Sequence, residues 1–276
     1  MYIHKITIKS WNDIIKLEPE AGGWIYRGHA DASWNLETSL TRVIERNKLI
    51  YPNEGGWEDK LYAERSSLRT FKSRAHFYID NLPESLDTLS WLALMQHHGT
   101  PTRLLDFTQS IYIAMYFALI DSTTDACIWA INDLWLIDEG IKLASKKGFQ
   151  KNHLLRYSKL ETIYNCANQI INENNFENLE QDYDDSIVLY IELKKQNPRL
   201  AIQQGVFLAP TAFRKSFMDN LNQMNFSKNE TIRKIIIPIE LRNNFLMQLK
   251  SMNITAESLF PGIDGFAKSL IHQDML

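Results

Sequence analysis

Cysteine is scarce. The two thiols, Cys127 and Cys166, in a chain of 276 residues cannot build a disulfide framework, nor a structural zinc site of four thiolates. An excess of charge of one sign is missing too: 30 basic side chains against 33 acidic ones leave a formal charge of −3 with histidine neutral. That balance excludes a protein that holds DNA by bulk electrostatics, while leaving room for a local basic groove. No segment approaches the ~18 consecutive apolar residues of a membrane helix. There is no internal repeat, and no proline- or glycine-rich linker divides the chain. The start, Met1 to Ile8, alternates like a strand and lacks the apolar block of a secretion signal. The composition (45% hydrophobic, 23% charged) leads to the expectation of a soluble, cytoplasmic protein with no membrane partner. Its length is ample to bury its own core as a single domain over 1–276.

Hydrophobic patterning predicts strands over 3–8, 24–26, 102–108, 126–131, 187–193, 200–208 and 232–239. Helices are predicted near 10–16, 60–78, 90–98, 111–120, 241–252 and 263–272, with Ser90 as the cap of the third and Gly99 with Pro101 as its stop. Arg65, Arg69, Lys72 and Arg74 read as the solvated face of the second helix. Residues 147–185 stand apart as an insertion. An amphipathic run up to Ile171 merges into an asparagine-rich stretch, and six asparagines between Asn165 and Asn178 compete with a helical backbone. Strands spaced unevenly among helices predict an α+β fold, a single mixed domain with a central, mainly antiparallel sheet flanked by helices.

Three places put polar groups where packing alone does not ask for them. Arg27 follows the apolar run Trp24-Ile25-Tyr26 directly, at the end of a buried strand. Its guanidinium needs an anionic or carbonyl partner, which a phosphate or an internal carboxylate would supply; Gly28 allows a close approach by backbone or ligand. In Gln96-His97-His98-Gly99-Thr100-Pro101-Thr102-Arg103-Leu104-Leu105-Asp106-Phe107-Thr108, an extended backbone puts Asp106 among apolar neighbours, in need of a donor from Arg103, Arg27 or a histidine. His97 and His98 are adjacent and point apart on a helix, so no metal site is expected. A histidine near Asp106 would serve either as a general base or as a structural group. Lastly, Arg199 precedes a strand-like run broken by Gln203, Gln204 and Gly205, where a buried amide needs a specific partner and glycine signals a bulge or close approach.

These blocks, in this order, resemble the FRG domain family. Its aromatic-Arg-Gly signature stands here as Tyr26-Arg27-Gly28, followed by Trp34, Leu36, Ser39, Leu40 and Arg42. The central block matches through Trp91-Leu92-Ala93, Gln96-His97-His98-Gly99, Pro101 to Asp106, Thr108 and Ala114 to Ala118; Phe107 stands where the family often has tryptophan. Arg199 with Gln203, Gly205 and Phe207, and Leu259-Phe260-Pro261 with Asp264-Gly265, resemble its later blocks, so the resemblance runs from about residue 20 to 270. It implies a module found alone or fused to others, chiefly in bacteria and phages, with a role in bacterial conflict such as a toxin or phage-defence effector.

The chain is also similar in its order of polar residues to ADP-ribosyltransferase-like folds. That resemblance implies NAD as a substrate rather than a permanently bound cofactor. Arg27, Asp106 and Gln203 are then the catalytic candidates, with Arg27 on the pyrophosphate, Gln203 orienting the ribose and Asp106 supplying negative charge. Tyr26, Gly28, His97, His98, Arg103, Thr108, Tyr116 and Arg199 are the expected substrate- or cofactor-binding residues. The partners implied are a small nucleotide and a macromolecular acceptor, either protein or nucleic acid. Two other functions stay open. One is a non-catalytic ligand-binding or protein-interaction module, in which Arg27, Arg103 and Asp106 form a structural network. The other is a nucleic-acid-associated factor using the Arg65–Arg74 face.

Overall fold

The computed structural model describes residues 3–17, 23–149, 155–173, 186–224 and 231–271. Over these the chain runs β1 (His4–Thr7), α1 (Trp11–Leu17), β2 (Trp24–His29), α2 (Ser39–Arg46), α3 (Trp57–Arg74), α4 (Thr88–His97), β3 (Leu105–Thr108), α5 (Ile111–Leu119), β4 (Ala126–Asn132), α6 (Asp133–Lys146) and α7 (Arg156–Glu173). It continues through β5 (Val188–Ile191), α8 (Pro198–Ile202), β6 (Gly205–Pro210), α9 (Phe217–Asn222), β7 (Ile232–Ile237), α10 (Arg242–Ser251), α11 (Ala256–Leu259) and α12 (Ile263–Ile271). The seven strands form one sheet in the order β1-β7-β4-β2-β3-β6-β5. Only the β1–β7 pair is parallel; the other ladders are antiparallel. The fold is α+β, as expected.

The interior strand β4 is apolar at nearly every position because both of its faces are covered. Cys127, Trp129 and Ile131 point into the larger core, while Ala126, Ile128 and Ala130 point into the smaller one. Helix α5 lies across the second face and packs directly on β2. The contact is so close that a Cβ on Gly28 would sit 2.0 Å from the Ala114 carbonyl oxygen and 2.5 Å from the Ala118 nitrogen. Gly28, Ala114 and Ala118 are small because two backbones meet there. The edge strand β5 is buried by α6, α7 and α9, which removes it as a template for further pairing.

Several expectations need correction. The block from Thr102 is extended as a ladder strand only over Leu105–Thr108. Before that, Thr102 and Arg103 tie segments together. Leu40 N–H donates to the Thr102 carbonyl (3.2 Å) and Thr102 N–H to Ser39 Oγ (3.1 Å), and Thr102 Oγ1 donates to Gln96 Oε1. Arg103 does not reach Asp106. It enters a buried ion pair with Glu64 of α3, Nε to Oε2 2.8 Å and Nη2 to Oε2 2.5 Å, with side chains 1% and 3% exposed, under the Phe213 ring at 4.1 Å. The predicted strand 200–208 is a helix followed by a strand. Asn197 caps α8 by accepting from Leu200 N–H at 2.8 Å with Pro198 in the first turn, the usual roles of these residues at a helix start. Gln204, at φ +47°, turns the chain into β6. Asp87, not Ser90, caps α4, accepting from Ser90 N–H. The expected helix up to Ile171 is α7, while the asparagine-rich end of the proposed insertion, 174–185, lies outside the described residues.

Two substitutions test these contacts by chemical denaturation. Gly28→Ala drives a Cβ into the α5 backbone, and we expect it to lose more than the ~1–3 kcal/mol of ordinary overpacking; parent-like stability would show that α5 is not seated on β2 in this way. Glu64→Leu removes the buried carboxylate that Arg103 pairs with and is expected to cost about 3–5 kcal/mol, whereas a loss below about 1 kcal/mol, as for an exposed pair, would contradict the buried geometry.

Candidate functional site

Strands β2 and β3 share a single pair in register, Tyr26 with Thr108. Beyond it they part, although β2 continues to His29 alongside β4 and β3 continues to Leu105 alongside β6. A cleft of about 290 Å³ opens at this gap, with Tyr26, Arg27, Gly28, Asp106 and Thr108 on its strand side and Ala114 and Phe117 from α5. Arg199, Leu200 and Gln203 of the α8 segment close the other side. An adjoining hollow of about 80 Å³ shares Asp106, Arg199, Leu200 and Gln203 and adds Gln96, His97 and Asn197.

Arg27 spans the gap. Its Nη1 donates to the Asp106 carbonyl at 2.7 Å and its Nε to His29 Nε2 at 3.1 Å. Both acceptors are neutral. Burial holds the His29 pKa down to about 3, with help from the positive charges of Arg27, Arg42 and Lys234, so the imidazole accepts from Arg27 without gaining charge. The nearest carboxylate oxygen, Asp106 Oδ2, lies 3.9 Å from Nη1 on a side chain that is 61% exposed. No hydrogen bond to Arg27 Nη2 exists among the described residues. Burial also lowers the arginine's own pKa, an effect opposed by Asp106 and reinforced by Arg42. A guanidinium stays charged regardless, so the cleft holds a positive group that the protein neutralises only weakly.

Gln203 is pinned at three points. Its N–H donates to the Arg199 carbonyl at 3.0 Å, its Nε2 to the Leu259 carbonyl at 3.0 Å, and its own carbonyl accepts from Thr108 Oγ1 at 2.7 Å. These bonds fasten β3, α8 and α11 around the cleft. Arg199 stacks over Phe260 at 4.8 Å, and Phe260 meets edge-on, at 6.0 Å, the Phe117 ring that lines the cleft. Burial first, then His98 and Arg199, lowers the His97 pKa.

Of the residues singled out from the sequence, the fold brings Tyr26, Arg27, Gly28, Asp106, Thr108, Arg199 and Gln203 to the cleft, and His97 to its side hollow. It does not bring Arg103, which is buried with Glu64. Nor does it bring Tyr116, packed in the core beneath the sheet with its hydroxyl pKa pushed up to about 12 by burial and Asp121. His98 faces a separate groove. Asp106 is exposed, not enclosed by apolar neighbours as expected, because β3 has no partner strand on that side beyond Thr108. Three contributors were missed. Phe117 was legible from α5 itself, since a helix that seats Ala114 and Ala118 on β2 turns residue 117 the same way. Asn197 was legible as the cap before Pro198. Nothing local marks His29 as the acceptor for Arg27.

Residues 22–127, which supply Arg27, His29, Asp106 and the whole of α5, match the family model of the FRG domain. The chain carries an FRG domain. The match is shorter than the 20–270 span of the resemblance: β6, α8 and Gln203 lie beyond the matched FRG segment, although they form one side of its cleft. No curated protein and no solved structure matches the chain. Among the described residues, no group of three or more histidine, cysteine, aspartate or glutamate side chains could hold a metal ion. None of their helices is long and apolar enough to cross a membrane.

The neutral state of His29 has a measurable signature. A histidine whose folded pKa lies near 3 takes up a proton in the unfolded chain, near pH 6.5, before it does in the native one. Stability is therefore lost as pH falls below about 6.5, at up to ~1.4 kcal/mol per unit. The glutamine of His29→Gln keeps an acceptor for Arg27 and cannot titrate. The stability advantage of the parent over this variant should shrink by roughly 2 kcal/mol between pH 7 and pH 5; a constant difference across that range would mean that His29 takes up its proton as readily in the folded protein as in the unfolded chain.

Proposed function

We propose that the cleft binds NAD and breaks its nicotinamide–ribose bond, passing ADP-ribose to a macromolecular acceptor or to water. The observation that carries this reading is the Arg27 guanidinium, held at the gap between β2 and β3 by two neutral acceptors, with Nη2 left for a ligand. Such a group suits a phosphate oxygen better than a neutral ligand. The Phe117 ring in the cleft wall provides an apolar surface for a base. Gln203, fixed by its hydrogen bonds, orients the ribose but cannot act as a base. Asp106 is the one carboxylate among the residues lining the cleft and its hollow. Its negative charge favours the positive charge that develops at the ribose C1′ as nicotinamide leaves with the bonding electron pair. The acceptor oxygen then bonds to C1′, and its proton passes to the Asp106 carboxylate.

A second reading has its own support. The Gln203 amide is already engaged with Leu259, which leaves turnover to depend on one exposed aspartate. A module that binds a nucleotide without cleaving it would look the same apart from that residue.

Calorimetric titration with NAD and with ADP-ribose, combined with chromatographic detection of released nicotinamide, separates the outcomes. We expect NAD to bind and nicotinamide to appear. Arg27→Ala should weaken binding about 10–100-fold through the lost charged hydrogen bond, and Asp106→Asn should preserve binding while slowing release by roughly 10²–10⁴-fold. Binding with no release by the parent protein, with or without added protein and nucleic acid as acceptors, would establish the non-catalytic reading. If neither NAD nor ADP-ribose binds the folded parent, both nucleotide readings fall. The Asp106 variant keeps the test decisive even if loss of the Arg27 bridge loosens the fold, because its side chain is exposed.

A further inference from the structure

A second concavity lies away from the cleft. It has a volume of about 670 Å³, well within the ~300–1,000 Å³ typical of small-ligand pockets. One wall is a single face of α3, where Ser66, Thr70 and Arg74 follow one another at helical spacing with Phe71 beside them. Ala75, Tyr78 and Ile79, just past the end of α3, form the floor and far wall, and His98 with Thr100 closes it from the loop after α4. Two features define its chemistry. The walls are aromatic and aliphatic with hydroxyls spaced along one side, and no carboxylate lines them. The Arg74 guanidinium forms no hydrogen bond or ion pair among the described residues, in contrast to neighbouring Lys72, which donates to the Ser85 carbonyl at 2.9 Å and lies over the Trp91 ring.

We propose that this groove is a binding site for a small aromatic anion. The flat body packs between Phe71 and Tyr78, the acidic group meets Arg74, and the hydroxyls of Ser66, Thr70 and Thr100 supply secondary hydrogen bonds. Charge complementarity decides the ligand class: a site with a free cation and no acid favours an anion over a neutral apolar molecule and disfavours a cation. The size and the aromatic walls favour a compact ring system. The site is independent of the nucleotide reading, since the groove and the cleft share no lining residue.

Anilinonaphthalene sulfonate, an aromatic ring system bearing one negative charge, is a direct probe. Its fluorescence should titrate the folded full-length chain as a single saturable site. Thr70→Trp fills the groove and Arg74→Glu reverses its charge, both at exposed positions. Each should weaken binding about tenfold or more with an unchanged circular dichroism spectrum, as should replacing the probe by uncharged phenylnaphthylamine. Phe266→Ser, on the exposed face of α12, should leave the titration as it is. Parent-like binding by both groove variants, equal affinity for the uncharged analogue, or loss of the signal in the Phe266 variant would each overturn the proposal.

Discussion

The site depends on one interrupted ladder. Strands β2 and β3 pair only at Tyr26 and Thr108; a fully zipped ladder would have consumed the backbone groups of Gly28 and Asp106 and left no opening. The interruption leaves the Asp106 carbonyl without the backbone donor that a continued ladder would have given it. Arg27 fills that place with a side chain instead of a backbone N–H. One arginine therefore does two things: it restores a hydrogen bond that the parted strands forgo, and it places a positive charge at the opening they create. The seating of α5 against Gly28 holds β2 in place at that point, and His29, kept neutral by burial and surrounding cations, holds the guanidinium from the side without cancelling its charge.

The density of polar residues in the Gln96–Thr108 block divides into two jobs. Its first half is scaffolding: Thr102 joins the α2 and α4 segments, and Arg103 anchors the start of β3 to α3 through Glu64. Its second half, Asp106 and Thr108, reaches the cleft. The scaffolding positions the functional half, since the course of β3 is set by the ion pair at one end and by Tyr26 and Gln203 at the other. An arginine followed three residues later by an aspartate invites a direct pairing, but Arg103 lies before β3 with its guanidinium buried, while the Asp106 side chain on the strand is exposed. The partner comes from a helix 39 residues earlier in the chain.

Much of the architecture was legible in the residue pattern. The apolar runs of β2, β4, β5 and β7 and the nearly uniform apolarity of α5 marked buried elements, and uneven strand spacing pointed to an α+β fold. The stretch around Arg199 was misread because Leu200, Ala201 and Ile202 look like a strand when counted by apolarity alone; Asn197 and Pro198 carry the capping information that identifies a helix. The helix changes what Gln203 is. At a strand interior it would be a buried amide seeking a ligand, whereas at a helix C-terminus it satisfies β3 and α11 with its own backbone and side chain.

The amino-acid sequence by itself determined which stretches are buried, where the chain must admit close backbone contact, and the match of residues 22–127 to the FRG domain model. It also singled out most residues of the cleft, because a polar side chain within an apolar run stands out one-dimensionally. Tertiary structure alone decided their partners. Whether Arg103 meets Asp106 or Glu64, whether Asp106 is enclosed or exposed, and whether Tyr116 or Phe117 faces the opening all turn on which elements pack side by side. Hydrogen bonds and ion pairs act over about 3–4 Å, and only the folded chain brings groups separated by tens of residues within that reach.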